Sequence, residues 1–192
     1  EAATETARAE RASADATAAR DEASKARSEG QAQLLSAAEA HATALALCHA
    51  LRPVYPVTVK WPNDIYLSES KLAGILVESI TPSLPADRGI AIIGIGLNIN
   101  SMPEDFPPHL DAPAISLRMH AKKHDSPLQR EPIAAAILCA LHHTISRVID
   151  DFPAILDELK TFSDLLGQKV TLKLPEGKIQ SGFVRDFGSE GE

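Results

Sequence analysis

The chain has 192 residues, 44% of them hydrophobic, and a formal net charge of −7. That is enough apolar material for one ordinary domain with an appendage, and the acidic balance argues against a nucleic-acid-binding surface, so no DNA partner is expected. No run reads as long and apolar enough to span a membrane, no signal-peptide pattern stands at the start, and the acid-rich first residues are unlike a transit peptide; no membrane partner and a cytoplasmic location follow by default.

Residues 1–30 are Ala, Glu, Arg, Ser and Thr with mixed charges. Alanine gives this segment fair helix propensity, but a helix here has no apolar face to bury, so a solvated, fraying helix or disorder is expected. A coiled-coil arm would need large apolar residues at a and d, and they are absent. Residues 31–51 form an amphipathic helix, with Leu34, Ala38, Ala42, Leu45, Cys48 and Leu51 on one stripe. His41 and His49 lie two turns apart on it and read as exposed or hydrogen-bonded histidines, with no third ligand in register for a metal. Cys48 and Cys139 are far apart in apolar helical patterns and read as buried reduced thiols.

Pro53 and Pro56 lead into the stretch around which the chain is organised. Val57, Val59 and Trp61 alternate with Thr58 and Lys60, the pattern of a half-buried strand. Pro62 cannot donate to a ladder, so the strand should end there and leave Asn63 and Asp64 at its mouth. Residues 67–71 read as a hairpin connection. Residues 72–78 read as a second strand, apolar almost throughout and so covered on both faces. Residues 89–98 form a third, ending in Gly94-Ile95-Gly96-Leu97-Asn98. Glycines weaken a strand unless something approaches its backbone closely. With Lys60 and Lys71 nearby, they suggest an anionic or nucleotide-like ligand lying across the strand ends.

Residues 81–88 and the proline-rich 101–126 read as loops, with short order around 115–119; His120 and His124 beside Lys122 and Lys123 read as a solvated basic loop. Residues 131–149 form a helix with Pro132 in its first turn and Ile133, Ile137, Leu141, Ile145 and Val148 inward. A further helix starts at Asp151 as N-cap, with Ile155, Leu156, Leu159, Phe162 and Leu165 inward and Gly167 as a left-handed cap. Residues 169–174 and 178–187 pair as a hairpin about the turn at 175–177.

Three ordered motifs carry a resemblance: Lys60-Trp61-Pro62-Asn63-Asp64, Lys71-Leu72-Ala73-Gly74-Ile75-Leu76-Val77-Glu78 and Gly94-Ile95-Gly96-Leu97-Asn98-Ile99-Asn100. In order and spacing they resemble the biotin protein ligase family, and Ala114-Ile115-Ser116-Leu117 is similar to a further short segment of it. The resemblance runs from about residue 31 to the C-terminus. It implies an α/β (α+β) fold of the class II synthetase and biotin-ligase type, a mixed β-sheet backed by helices, with a truncated SH3-like C-terminal piece. The implied division is 1–30 as an appendage, 31–166 as a partial catalytic domain and 167–192 as the start of the C-terminal domain.

The implied activity is ATP-dependent conversion of biotin to biotinyl-AMP and transfer of biotin to a lysine of a biotin carboxyl carrier protein. The resemblance assigns Lys71 to catalysis, at the biotin carboxylate and α-phosphate. It assigns Lys60, Asn63, Asp64, Gly74, Gly94, Gly96 and Asn98 to substrate or nucleotide binding, Asn98 at adenine. Asn63 and Asp64 are expected to hold Mg²⁺, a hard cation that prefers oxygen. Each has a plainer reading as well: Lys71 as an edge-strand lysine, Asn63 and Asp64 as a turn, Asn98 as a strand-end cap. The family's Gly-Arg-rich biotin loop is not found in these 192 residues, which leads to an expectation of impaired ligase activity. The alternatives are a non-catalytic ligand- or partner-binding remnant, a lipoate or octanoyl transferase relative, and a helical interaction protein built on residues 1–51. Homodimerisation stays open.

Overall fold

The computed structural model describes residues 2–80, 90–110, 112–121, 126–174 and 177–188. The readings made for residues 81–88, for Lys122, Lys123 and His124, and for the turn residues Pro175 and Glu176 lie outside these. Helix α1, Ala2–Leu51, runs unbroken through Gly30, and its described side chains between residues 17 and 30 are exposed. Its buried stripe begins a turn later than the spacing implies. Leu34 is 48% exposed, whereas Ala42, Ala44, Leu45, Leu47 and Cys48 are fully buried. One expectation is corrected here: Ala32–Leu51 is long and apolar enough to cross a membrane by length and composition. Those apolar residues instead pack against the sheet and against helices α3, Arg130–Ile145, and α4, Phe152–Lys160. Burial pushes the Cys48 thiol up to about 12, as removal of a thiolate from water requires.

Four strands form the main sheet: β1 Val57–Lys60, β2 Asp64–Leu67, β3 Ser70–Ile80 and β4 Ile90–Leu97, in that spatial order. Every ladder among them is antiparallel. Among the described residues, the parallel component of the expected mixed sheet is confined to two isolated bridges, Val59 with Ser163 and Lys71 with Ala114. The sequence reading had one strand too few between Lys60 and Lys71. β2 begins at Asp64, and the connection shrinks to Ser68 and Glu69, both left-handed (φ 51° and 62°). That is the geometry a tight two-residue hairpin demands. β3 is covered on one face only: Leu72, Ala73 and Ile75 are buried under α1, while Leu76 is 63% exposed on the other side.

Beyond β4, Asn100 clamps the chain to Leu128, donating from Nδ2 to its carbonyl (2.9 Å) and accepting its N–H (2.7 Å). Helix α2, Leu117–His120, is capped by Ser116, whose Oγ accepts from Met119 N–H and donates to the Ser101 carbonyl. Helix α3 stops at Ile145, four residues short of the predicted end, and buries Ile137 and Thr144. Ile133, Leu141 and Ile145 are half-buried, and Cys139, expected to be buried, is exposed. Asp151 is the N-cap of α4, though its side chain makes no capping bond, and Ile155, Leu156 and Leu159 are buried.

Strands β5 Lys169–Lys173 and β6 Ile179–Phe183 form the C-terminal hairpin. Its faces are largely exposed, with Ile179 and Phe183 each at 69%. Its tail returns to the main domain, where Asp186 pairs with Lys160 at the end of α4 (2.9 Å) and Phe187 stacks on Trp61, just past β1, at 4.2 Å between centroids. His41 also stacks on Trp61, at 4.0 Å, and faces Phe152 at 6.1 Å. The expectation of an exposed His41 is therefore corrected. It is 2% exposed, and its Nδ1 finds no hydrogen-bond partner among the described residues. Burial lowers its pKa to about 4, because the imidazolium would be left without water or a counter-charge. His49, by contrast, meets Glu158 at 2.8 Å, and Arg147 holds the other oxygen of that carboxylate.

Candidate functional site

Period-2 alternation fixes which residues share a sheet face. Reading across the four strands, Lys60 lies opposite Asp64, Asp64 opposite Gly74, and Gly74 opposite Gly96. These four form one transverse row on the face away from α1. The neighbouring row, Val59, Ile65, Ala73 and Leu97, faces the core. The row that faces outward thus carries a cation, an anion and two stretches of bare backbone.

Lys71 should be on the wrong face, since it precedes Gly74 by an odd number of residues. A register shift between Ile65 and Tyr66 corrects this. Ile65 pairs with Ala73 but Tyr66 pairs with Lys71, so Leu72 is the extra residue of a bulge, and Leu72 and Ala73 are both buried. A bulge re-aims the side chains that follow it. Here it brings Lys71 Nζ to 2.6 Å from Asp64 Oδ1, with the two side chains 43% and 24% exposed. Gly74 leaves the room for that pair. A Cβ built on it would sit 3.4 Å from both Asp64 Oδ1 and Lys71 Cε.

Above the row is a cavity of about 580 Å³, lined by Lys60, Asp64, Lys71, Gly74, Gly96 and Asn98 among the residues singled out from sequence. Asn63 and Gly94 are not among its lining residues. Asn63 ties off the turn after β1: its Nδ2 donates to the Ile75 carbonyl (2.8 Å) and its own carbonyl accepts from Ile75 N–H (3.0 Å). Gly94 lies opposite Leu76, one row farther along the same face. The two lysines differ in their partners. Lys71 meets a carboxylate, whereas Lys60 donates to the neutral Tyr66 hydroxyl at 3.1 Å and sits 5.0 Å from the centre of its ring.

The sequence reading missed Tyr66, Phe106, Leu110, Ala112 and Ala114 as lining residues. Tyr66 shares a face with Asp64 by simple alternation, so that signal was available once β2 was recognised. Phe106 and Leu110 come from an irregular segment with no periodicity to read. Ala114 is held over the cavity because its segment pairs with the start of β3: Lys71 N–H donates to the Pro113 carbonyl and Ile115 N–H to the Lys71 carbonyl. The Asn98 backbone is fixed between Leu72 and Leu117.

Of the pair expected to hold magnesium, only Asp64 lines the cavity, with its Oδ1 paired to Lys71, while Asn63 lies outside the lining with its Nδ2 donated to the Ile75 carbonyl. Among the described residues, no group of three or more His, Cys, Asp or Glu could hold a metal ion.

Residues 23–98 match the Biotin/lipoate A/B protein ligase family. The match begins inside the segment set apart above as 1–30. Over 155 residues the chain is 30% identical to the biotin--[acetyl-CoA-carboxylase] ligase of Mycobacterium tuberculosis, covering 78% of this chain and 53% of that protein. It is 45% identical over 64 residues to the bifunctional ligase/repressor BirA of Bacillus subtilis, covering 33% and 19%. The chain thus spans about half the length of the first of these relatives. A crystal structure of biotin protein ligase from Aquifex aeolicus shares the fold, with a TM-score of 0.65 at 24% identity over 81% of this chain and 65% of that one. The same enzyme in complex with biotin and ATP gives 0.64 at 23% identity, covering 81% and 62%.

Proposed function

We propose that this chain, a relative of the Biotin/lipoate A/B protein ligase family, forms the biotin- and ATP-binding face of a biotin protein ligase. In this reading it activates biotin with ATP to biotinyl-AMP and passes biotin to a lysine of a biotin carboxyl carrier protein. The observation that carries the reading is the transverse row Lys60, Asp64, Gly74 and Gly96, with Lys71 turned onto it by the bulge.

Activation brings a carboxylate up to a triphosphate, two anions that repel each other, so the site must supply positive charge at the α-phosphate. Lys71 and Asp64 nearly neutralise one another, and Lys60, whose partner is neutral, contributes the surplus. Lys71 then exchanges its carboxylate partner for the reacting oxygens when substrate enters. Gly74 and Gly96 give a flat floor for the nucleotide. Asn98 stands at its end, and Phe106 and Leu110 supply an apolar wall. Gly94 and the exposed Leu76, one row along, suit the apolar body of biotin. Magnesium would arrive with the nucleotide phosphates, which can provide the oxygen ligands that one carboxylate cannot.

The test is biotin-dependent exchange of labelled pyrophosphate into ATP by the protein, with nucleotide affinity measured by calorimetry alongside. Exchange that requires biotin supports the ligase reading. Absence of both exchange and nucleotide binding would replace it with a non-catalytic binding module.

A further inference from the structure

We propose that a second groove, meeting the nucleotide cavity at the Lys60–Tyr66 contact, is the entry for the carrier protein's acceptor lysine, a proposal that rests on the ligase reading. The groove has a volume of about 620 Å³ and shares two lining residues with the nucleotide cavity, Lys60 and Tyr66. Tyr66 is only 8% exposed, and its hydroxyl is held by Lys60 Nζ. The pair is therefore a partition between two spaces rather than a wall at the edge of one.

The far side of the partition is firmly built. The β1–β2 hairpin forms one flank. The other is the segment from Phe162 to Asp164, which runs along the free edge of β1: Val59 N–H donates to the Phe162 carbonyl (2.7 Å) and Asp164 N–H to the Val59 carbonyl (3.2 Å). The Thr58 hydroxyl fixes the Asp164 carboxylate. Glu69, on the left-handed turn between β2 and β3, completes the rim with Ser68 and Gln168.

Charge runs in one direction along this path. Glu69 and Asp164 line the groove alone, Lys60 is shared by the groove and the nucleotide cavity, and Lys71 lines the cavity alone. An ammonium group is drawn in by the rim, and the lysines within disfavour its charged form, as a nearby cation does for a nucleophilic lysine. The amine that arrives is thus relieved of one proton, which leaves to water along the groove. Its nitrogen then bonds to the acyl carbon of biotinyl-AMP. The bond from that carbon to the phosphate oxygen breaks with its electron pair, AMP departs, and the second surplus proton follows the first. Carrier protein and nucleotide need not compete for one opening, because each has its own.

Cross-linking tests the groove without turnover. The probe is a carrier domain of acetyl-CoA carboxylase with a cysteine placed beside its acceptor lysine. Under mild oxidation it should couple to a Gln168→Cys variant at least tenfold faster than to Cys139, which is exposed on α3 and serves as an internal control. Equal coupling at the two positions, or none at the groove, overturns the proposal. Pyrophosphate exchange by the parent protein reports separately on the ligase reading. In the double variant Glu69→Gln/Asp164→Asn, biotin transfer to the carrier should slow about tenfold relative to exchange. Transfer at the parental rate and with the parental salt dependence also overturns the proposal, since steering by charge acts on association.

Discussion

Replacing Gly74 separates a glycine kept for the ligand from one kept for the fold. Its φ is outside the left-handed region, and an added Cβ meets Asp64 Oδ1 and Lys71 Cε at 3.4 Å, a contact without a clash. Alanine therefore fits the folded strand and reduces the freedom of the unfolded chain, which should raise stability by about 0.4–1 kcal/mol. Valine adds two methyl groups that must reach toward the ion pair, and overpacking of this kind costs about 1–3 kcal/mol. For a ligand on the floor, even alanine raises the surface by a methyl group and prevents close approach to the backbone. Nucleotide affinity should fall at least tenfold, or about 1.4 kcal/mol, in Gly74→Ala and further in Gly74→Val. Urea denaturation gives the stabilities and calorimetry with ATP the affinities. The expected signature is a crossing: Gly74→Ala is as stable as the parent or more so, yet binds worse. If Gly74→Ala is destabilised while its affinity is unchanged, the glycine serves the sheet and the floor argument is wrong.

Lys71→Ala should lower ATP affinity tenfold or more and shift stability by less than about 1 kcal/mol, because the Lys71–Asp64 pair is partly exposed; equal binding by calorimetry would remove Lys71 from the site. Asn100→Ala removes both bonds to Leu128 and should cost about 1–3 kcal/mol by leaving the Leu128 groups unpaired, read from the urea midpoint. His41 gives a pH dependence of definite sign: its folded pKa of about 4 lies below the ordinary 6.5, so the unfolded chain takes up its proton first. Stability is full above pH 6.5 and falls as the pH drops toward 4, by about 2 kcal/mol between pH 7 and pH 5. His41→Phe, which keeps the stack on Trp61, should flatten that slope in urea titrations at the two pH values; an unchanged slope would assign it to other groups. Glu39, whose pKa burial raises, acts in the opposite direction and is common to both proteins.

The local content of this protein was legible in its sequence. Alternation from Val57 to Trp61, the stripe from Ala38 to Leu51, and the glycines at 74, 94 and 96 each depend on neighbours within a few residues, and period and propensity report such neighbours directly. The three motifs likewise brought Lys60, Asp64, Lys71, Gly74, Gly96 and Asn98 onto one list, and the structure lines one cavity with all six. Strand β2 was lost because four residues between a proline and a two-residue turn are too few to show a period. What only the tertiary structure decided depends on pairing between distant segments. The bulge that carries Lys71 onto the ligand face is a property of two strands in register, not of either one alone. Asn63 turned out to hold Ile75 because the turn after β1 folds back on β3. His41 became a buried ring between Trp61 and Phe152, three residues from separate segments of the chain. Tyr66, Phe106 and Leu110 meet at one cavity only when the sheet and the loop beyond it are assembled. A side chain's type and period are written in its own segment; its partner is set by packing, and packing is where the chemistry of this site was determined.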